Sequence, residues 1–300
     1  MKPIPLLLGG LAAGGGLLLA GTLRWRAGTA ALVARMREPS ADLPLPPFAA
    51  ADLEGLPAPV ARYLRAVLPD AVPAITYARL AQRGDFLVRP RPDGWRPFTA
   101  VEHFSARPPG FVWDARIRMA PGMSVLVRDA FAGGQGSMVA SVMGVRRIVS
   151  VSGTPAITTA AMQRYLAEAV WLPTALLPGA GVAWSALGPD SARASLTAGA
   201  VTASLDFFFG ADGLVERIYT AARERDLGSG RTAPTPWQGR FSRYEAHEGY
   251  RIPMAGEVEW LLAEGPRPYW RGEITGVTFE LDHLPIPPAI PEPCVRDPVA

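Results

Sequence analysis

Cysteine is nearly absent: Cys294 is the only one, so neither a disulfide framework nor a cysteine metal site can form within one chain. Lysine is as scarce, with Lys2 alone. The other basic residues are arginines scattered among acids, and no basic run carries interleaved aromatics. Nucleic acid is therefore not an expected partner, although the net charge is +3 and the isoelectric point is near 9.3. His103, His247 and His283 are the only histidines. They lie far apart, without HxH or HExxH spacing, which argues against a metal centre. No GxSxG elbow is present. Gly133-Gly134-Gln135-Gly136 lacks the lysine and the strand–helix setting of a phosphate loop and reads as a hairpin turn. No motif names a reaction, and none implies a cofactor.

What the chain does have is an uncharged start. No charged side chain occurs from Ile4 to Leu23, and Lys2 and Arg24 bracket the run. About 20 residues suffice to cross a bilayer as a helix, and Arg24-Trp25-Arg26 fits an interfacial anchor. The run is longer than the core of a cleaved signal peptide. The expectation is a retained, single-pass transmembrane helix with the lipid bilayer as partner. Arginines after the run place the following domain in the cytoplasm by the positive-inside count, whereas N-terminal anchors often present domains outside. The side is left open.

Organisation follows from composition. Residues 1–25 read as the anchor and 26–55 as a linker, stiffened by Pro44, Pro46 and Pro47. A helix is expected at 57–68 from the spacing of Val60, Leu64 and Val67. From Thr76 the period changes to two. Candidate strands cover 76–89, 96–105, 111–119, 123–131, 136–140 and 145–151, then 182–187, 191–197, 200–209, 214–222, 237–246, 251–262 and 269–281. One helix interrupts them at 156–172. Successive short strands with turn signals between them argue an antiparallel meander. The fold class is mainly β: a curved meander sheet on one or two helices, forming a single domain over 56–283. Residues 284–300 carry six prolines and read as a tail.

The segments PAPVARYLRAVLP, PGFVWDARIRM, VRDAFAGGQGSM, RYLAEAVWLPTALLP and YWRGEITGVTFE, in that order, resemble an uncharacterised bacterial family whose members carry an N-terminal membrane segment and a domain of unknown function. That resemblance brings no activity. More distantly, the meander with DFFFGADGLVERI is similar to lipoprotein-carrier folds of the LolA type, which implies a curved sheet around helices that holds lipid or acyl chains.

Two groups of residues invite a chemical reading. If Ala120 faces Met123 across Pro121-Gly122, Asp114 lies opposite Asp129. Facing carboxylates need a cation, a shared proton or an arginine, and Arg116 and Arg128 are at hand. The pair is a candidate catalytic site of hydrolase type, or an Asp–Arg network on a solvated face. Glu168 sits in an apolar helix one turn after Arg164 and three residues before Trp171. A carboxylate there is costly unless paired. It marks the polar rim of a ligand gap between sheet and helix, or an internal ion pair. The sequence leans to a binding module for an apolar or amphipathic ligand over an enzyme, with a structural envelope domain as a third reading.

Overall fold

The computed structural model describes residues 4–38, 48–69, 73–228 and 231–281, with the side chains of 4–14 and Pro92 left aside. The proline-rich stretch before Phe48, the C-terminal tail, His283 and Cys294 lie outside the described residues. Among the described residues there are three α-helices: α1 (Ile4–Met36), α2 (Ala58–Val67) and α3 (Pro155–Glu168). The strands are β1 (Ile75–Leu87), β2 (Trp95–Ser105), β3 (Gly110–Ala120), β4 (Met123–Ala132), β5 (Gln135–Val142), β6 (Arg146–Ser152), β7 (Val182–Gly188), β8 (Ser191–Ala198), β9 (Val201–Phe209), β10 (Val215–Gly228), β11 (Arg231–His247), β12 (Tyr250–Leu262) and β13 (Gly265–Leu281). The mainly β meander expected from the period-two pattern is what the chain forms.

All 13 strands join one sheet in the order β6-β5-β4-β3-β2-β1-β13-β12-β11-β10-β9-β8-β7. The chain starts at the centre with β1, meanders outward to β6, and returns from the other edge to β13, which pairs antiparallel with β1. The step from edge to edge is made by α3 and the 3-10 turns that follow it, laid over the inner face. Thr154 caps α3 by accepting from the Ile157 amide, and Pro155 takes the first position, where no amide partner is needed. Ala160, Ala161, Met162, Tyr165, Leu166 and Ala167 are all buried. A helix apolar on so many sides must be covered on most of them, and α3 packs on β4 and β5 from one half and β8, β9 and β10 from the other. Tyr165 stacks on Phe104 with ring centroids 4.7 Å apart. α2 closes the inner face beside β8 and β12 with Val60, Tyr63, Leu64 and Val67 buried.

Two expectations fail. The first is the membrane span: among the described residues, no helix is long and apolar enough to cross a membrane. The physical reason lies in the flank taken for an interfacial anchor. α1 runs on to Met36, through the first part of the expected linker, and its second half docks on the outer face of the sheet. Trp25 is 8% exposed and Met36 fully buried. The Trp25 indole N–H donates to Asp114 Oδ1 at 2.9 Å, and the Thr29 hydroxyl donates to Asp114 Oδ2 at 2.6 Å. Arg128 lies over the Trp25 ring at 4.5 Å and donates to the Trp25 carbonyl at 2.9 Å. Gly28 makes room for that guanidinium, since a Cβ there would come within 2.8 Å of it. Met36, Tyr77, Val112, Ala130 and Ala132 form a small apolar cluster beneath the helix. The single-pass membrane placement is overturned with the span.

The second failure is one of register. Ala120 does pair with Met123, but Met119 bulges out, and from Arg118↔Ser124 onward the pairing moves by one residue. Asp114 then faces Arg128, and Trp113 faces Asp129. Because the side-chain period is two, a shift of one sends the two aspartates to opposite faces. They are not a cross-strand pair.

Asp114 accepts two side-chain hydrogen bonds that hold α1. Asp114→Asn is expected to lower the unfolding free energy by about 1–3 kcal/mol, the range for hydrogen bonds to a charged group, and to speed proteolysis near Trp25. Unchanged protection of α1 would show that the helix docks without this carboxylate.

Candidate functional site

Strand alternation puts Phe98, Ala100, Glu102 and Phe104 on the inner face of β2, so a carboxylate enters a core row. Glu102 is fully buried. Gln82 on β1 donates to its Oε2 at 2.7 Å and in turn accepts from the Trp113 indole at 2.8 Å. Arg164 on α3 reaches into the same place. Its Nε donates to both Glu168 oxygens at 2.9 and 3.0 Å, Nη1 to Asp129 at 2.9 Å and Nη2 to Glu102 at 3.4 Å. Its guanidinium also lies 4.8 Å from the Phe111 ring centre and 4.9 Å from that of Trp113. One arginine thus gathers carboxylates from β2, β4 and α3.

The electrostatics follow from burial. Burial opposes the charge on Arg164, but Glu168, Glu102 and Asp129 more than offset this and hold it protonated. Burial pushes the Glu102 carboxyl well above the usual carboxylate range, the charge of Glu168 pushes it further, and Arg164 only partly opposes them. This surrounding favours the neutral form of Glu102, the more so because Glu168 stands within hydrogen-bonding reach of it. Close by, Arg223 lies over the Trp237 ring at 4.6 Å and donates to the Ala160 carbonyl. Burial pulls its pKa down.

Of the residues singled out in the sequence, Asp129, Arg164 and Glu168 come together here. Asp114 and Arg128 serve α1 on the other face. Arg116 is on that outer face, exposed and opposite Leu126. Trp171 is 2% exposed, with its indole N–H on the Pro253 carbonyl at 2.9 Å and its ring edge-on to Phe241. It is a filled position rather than a cavity wall. Glu102 escaped the sequence reading, although its place in the alternation Phe98, Ala100, Phe104 could have exposed it.

A second feature was not visible in sequence because it depends on the register of five strands. A trough of about 720 Å³ crosses the outer face. One wall is the cross-strand row Arg83, Glu273, Ala255 and Ser242, and the other is Pro97, Asp85, Arg271, Glu257 and Arg240. The floor is the row between them: Phe98, Gly84, Gly272, Gly256 and Phe241. Phe98 and Phe241 turn their rings inward, onto Trp113 and Trp171, so the floor is backbone. Glycine is required at 272, where a Cβ would lie 2.6 Å from the Trp270 ring on the inner side. The trough spans about 19 Å at ordinary strand spacing. At its β11 end it meets a second hollow of about 550 Å³ that shares Glu216, Phe241 and Ser242 with it.

The two places differ chemically. Around Arg164 the charges are mutually satisfied and nearly dry. Along the trough they are exposed, and the carbon between them is glycine Cα, the Ala255 methyl and the Pro97 ring.

A profile for a family of unknown function, DUF6920, matches residues 54–279. Among solved structures, the chain is similar to a LolA superfamily protein from Nitrosomonas europaea, at 10% identity and a TM-score of 0.36, over 76% of this chain and 94% of that one. It is also similar to a β-barrel-like protein of the domain of unknown function DUF1849 from Brucella abortus, at 12% identity and a TM-score of 0.24, over 70% of this chain and 100% of that one. No curated protein matches the chain.

Two measurements check the Arg164 cluster. Arg164→Met strands the carboxylates without a counter-charge and is expected to cost about 3–5 kcal/mol in urea unfolding. An effect below 1 kcal/mol, as for surface ion pairs, would mean that water reaches the cluster freely. The second is pH dependence. The Glu102 pKa is raised on folding, so its contribution is complete in acid and is lost as pH rises from the usual carboxylate range through the folded value. Glu102→Gln should remove that slope; identical pH profiles for the two proteins would contradict the assignment.

Proposed function

The chain belongs to the DUF6920 family of unknown function, and from that premise we propose that its domain is a binding module that holds an amphipathic ligand in the outer-face trough. The observation that carries this reading is the trough itself: a carbon floor without side chains between two charged walls. An extended acyl chain fits along the glycine Cα atoms, Ala255 and Pro97, and a polar end meets the wall charges. Pockets of this type are mostly apolar, with a few polar groups that fix orientation.

The alternatives have less behind them. A hydrolase using Asp114 and Asp129 together would need both carboxylates on one face. A ligand between the sheet and α3, with Arg164, Glu168 and Trp171 at its rim, would have to displace an indole held by the Pro253 carbonyl and charges that already satisfy each other.

Ala255→Trp places a large ring in the trough from an outward-facing, half-buried position. Titration with a fluorescent fatty acid should give saturable binding to the unaltered protein and at least about tenfold weaker binding to the variant, a loss of about 1.4 kcal/mol. Equal binding by the two proteins would move the ligand elsewhere, and absence of binding to either would leave the scaffold reading.

A further inference from the structure

The charges along the trough are not used evenly. Arg271 donates to Asp85 at 3.0 Å, and Arg83 and Arg243 grip Glu273 from two sides at 3.1 and 2.9 Å. At the β11 end the pattern breaks. Arg240 lines the trough, and Arg217, its direct cross-strand partner on β10, stands just beyond the lining residues. Like charges so placed repel each other. Arg217 rests on the Phe208 ring at 3.6 Å, and among the described residues it makes no hydrogen bond or close ion pair. The nearest anion to Arg240 is Glu259 at 3.7 Å, and the oxygen concerned already accepts from Gln238. Burial, and then the charge of Arg240, pull the Arg217 pKa down, and the neighbouring Glu216 only partly opposes them.

Two carboxylates at the same end have no direct hydrogen-bonded partner. β10 bulges between Val215 and Arg217. Val215 and Ile218 are both buried, so the bulge turns two successive residues, Glu216 and Arg217, outward. Glu257 faces Arg240 across β11 and β12. Glu216 and Glu257 both line the trough, and neither makes a hydrogen bond or close ion pair among the described residues.

We propose that this end of the trough reads a zwitterionic head group, with Arg217 and Arg240 taking a phosphate-type oxyanion and Glu216 and Glu257 taking the adjoining ammonium. Two guanidinium groups match a tetrahedral oxyanion in geometry as well as charge. A purely anionic head would be repelled by the two carboxylates, and a purely cationic one by the arginine pair. The inference rests on the trough being the ligand site and adds the class of ligand.

The test is calorimetric titration of the full chain with lysophosphatidylethanolamine, dodecyl phosphate and dodecylammonium, each below its micelle concentration, and with free phosphoethanolamine. The zwitterionic lipid should bind about tenfold tighter than either singly charged chain. Arg240→Gln should erase its advantage over dodecylammonium, and Glu257→Gln its advantage over dodecyl phosphate. Both residues lie at the surface, and both variants should keep the melting temperature. Equal affinity for all three chains would overturn the head-group assignment and leave the trough reading standing. Binding of free phosphoethanolamine, lost in Arg240→Gln, with no binding of any chain, would keep the charge pattern as a site for a small zwitterion and overturn the acyl reading. No binding of any of the four would overturn both.

Discussion

The hydrogen-bonded grip of Arg164 on Glu102, Asp129 and Glu168 is the interaction on which the architecture turns. The sheet is open, and its two halves are joined in the plane by the single β1–β13 ladder. On the inner face the two halves meet through α3, and Arg164 ties that helix to β2 and β4. Removing charges from water is expensive and is repaid only with good geometry and further hydrogen bonds. Both are present: the bonds to Glu168 and Asp129 are 2.9–3.0 Å, and Gln82 and Trp113 complete the network behind Glu102. A greasy helix could slide along an apolar sheet; a guanidinium with fixed partners sets its register.

The same clamp separates the two faces of the sheet. The inner face is occupied by buried Tyr165, Phe104, Trp171 and their neighbours, which is why the proposed ligand is placed on the outer face. There the inward row of the same strands becomes a floor. Trp270 lies against Gly272 from within, and the bare backbone on the other side is what the trough exposes. The packing that closes the core also opens the groove, and the wall charges come from the alternate residues of those strands.

Much of the fold was legible in sequence, because many strands carry a period of two and turn residues such as Pro121-Gly122 separate them. α3 was legible as the one apolar stretch of helical period among strands. What failed did so for definable reasons. The bulge at Met119 leaves no mark in composition, yet it sends Asp114 and Asp129 to opposite faces. Trp25 between two arginines looks alike whether it faces a membrane interface or an aspartate, and only the fold brings Asp114 and Arg128 to it. Arg164, Glu168 and Asp129 were each noticed, but Glu102, which joins them, was hidden in a strand whose other inward residues are apolar. The trough lay beyond reach altogether, since its walls are assembled from residues far apart in the chain that only strand register aligns.

The most direct test of the account is to map where an amphiphile touches the protein. Photo-crosslinking with a diazirine-bearing fatty acid, followed by peptide mass spectrometry, reports contact residues without a variant. The account predicts adducts in the peptides holding Pro97, Ser242, Ala255 and Glu257. Adducts concentrated on α3 and the turn after it, at Tyr165, Glu168 or Trp171, would contradict it and put the ligand beneath the helix.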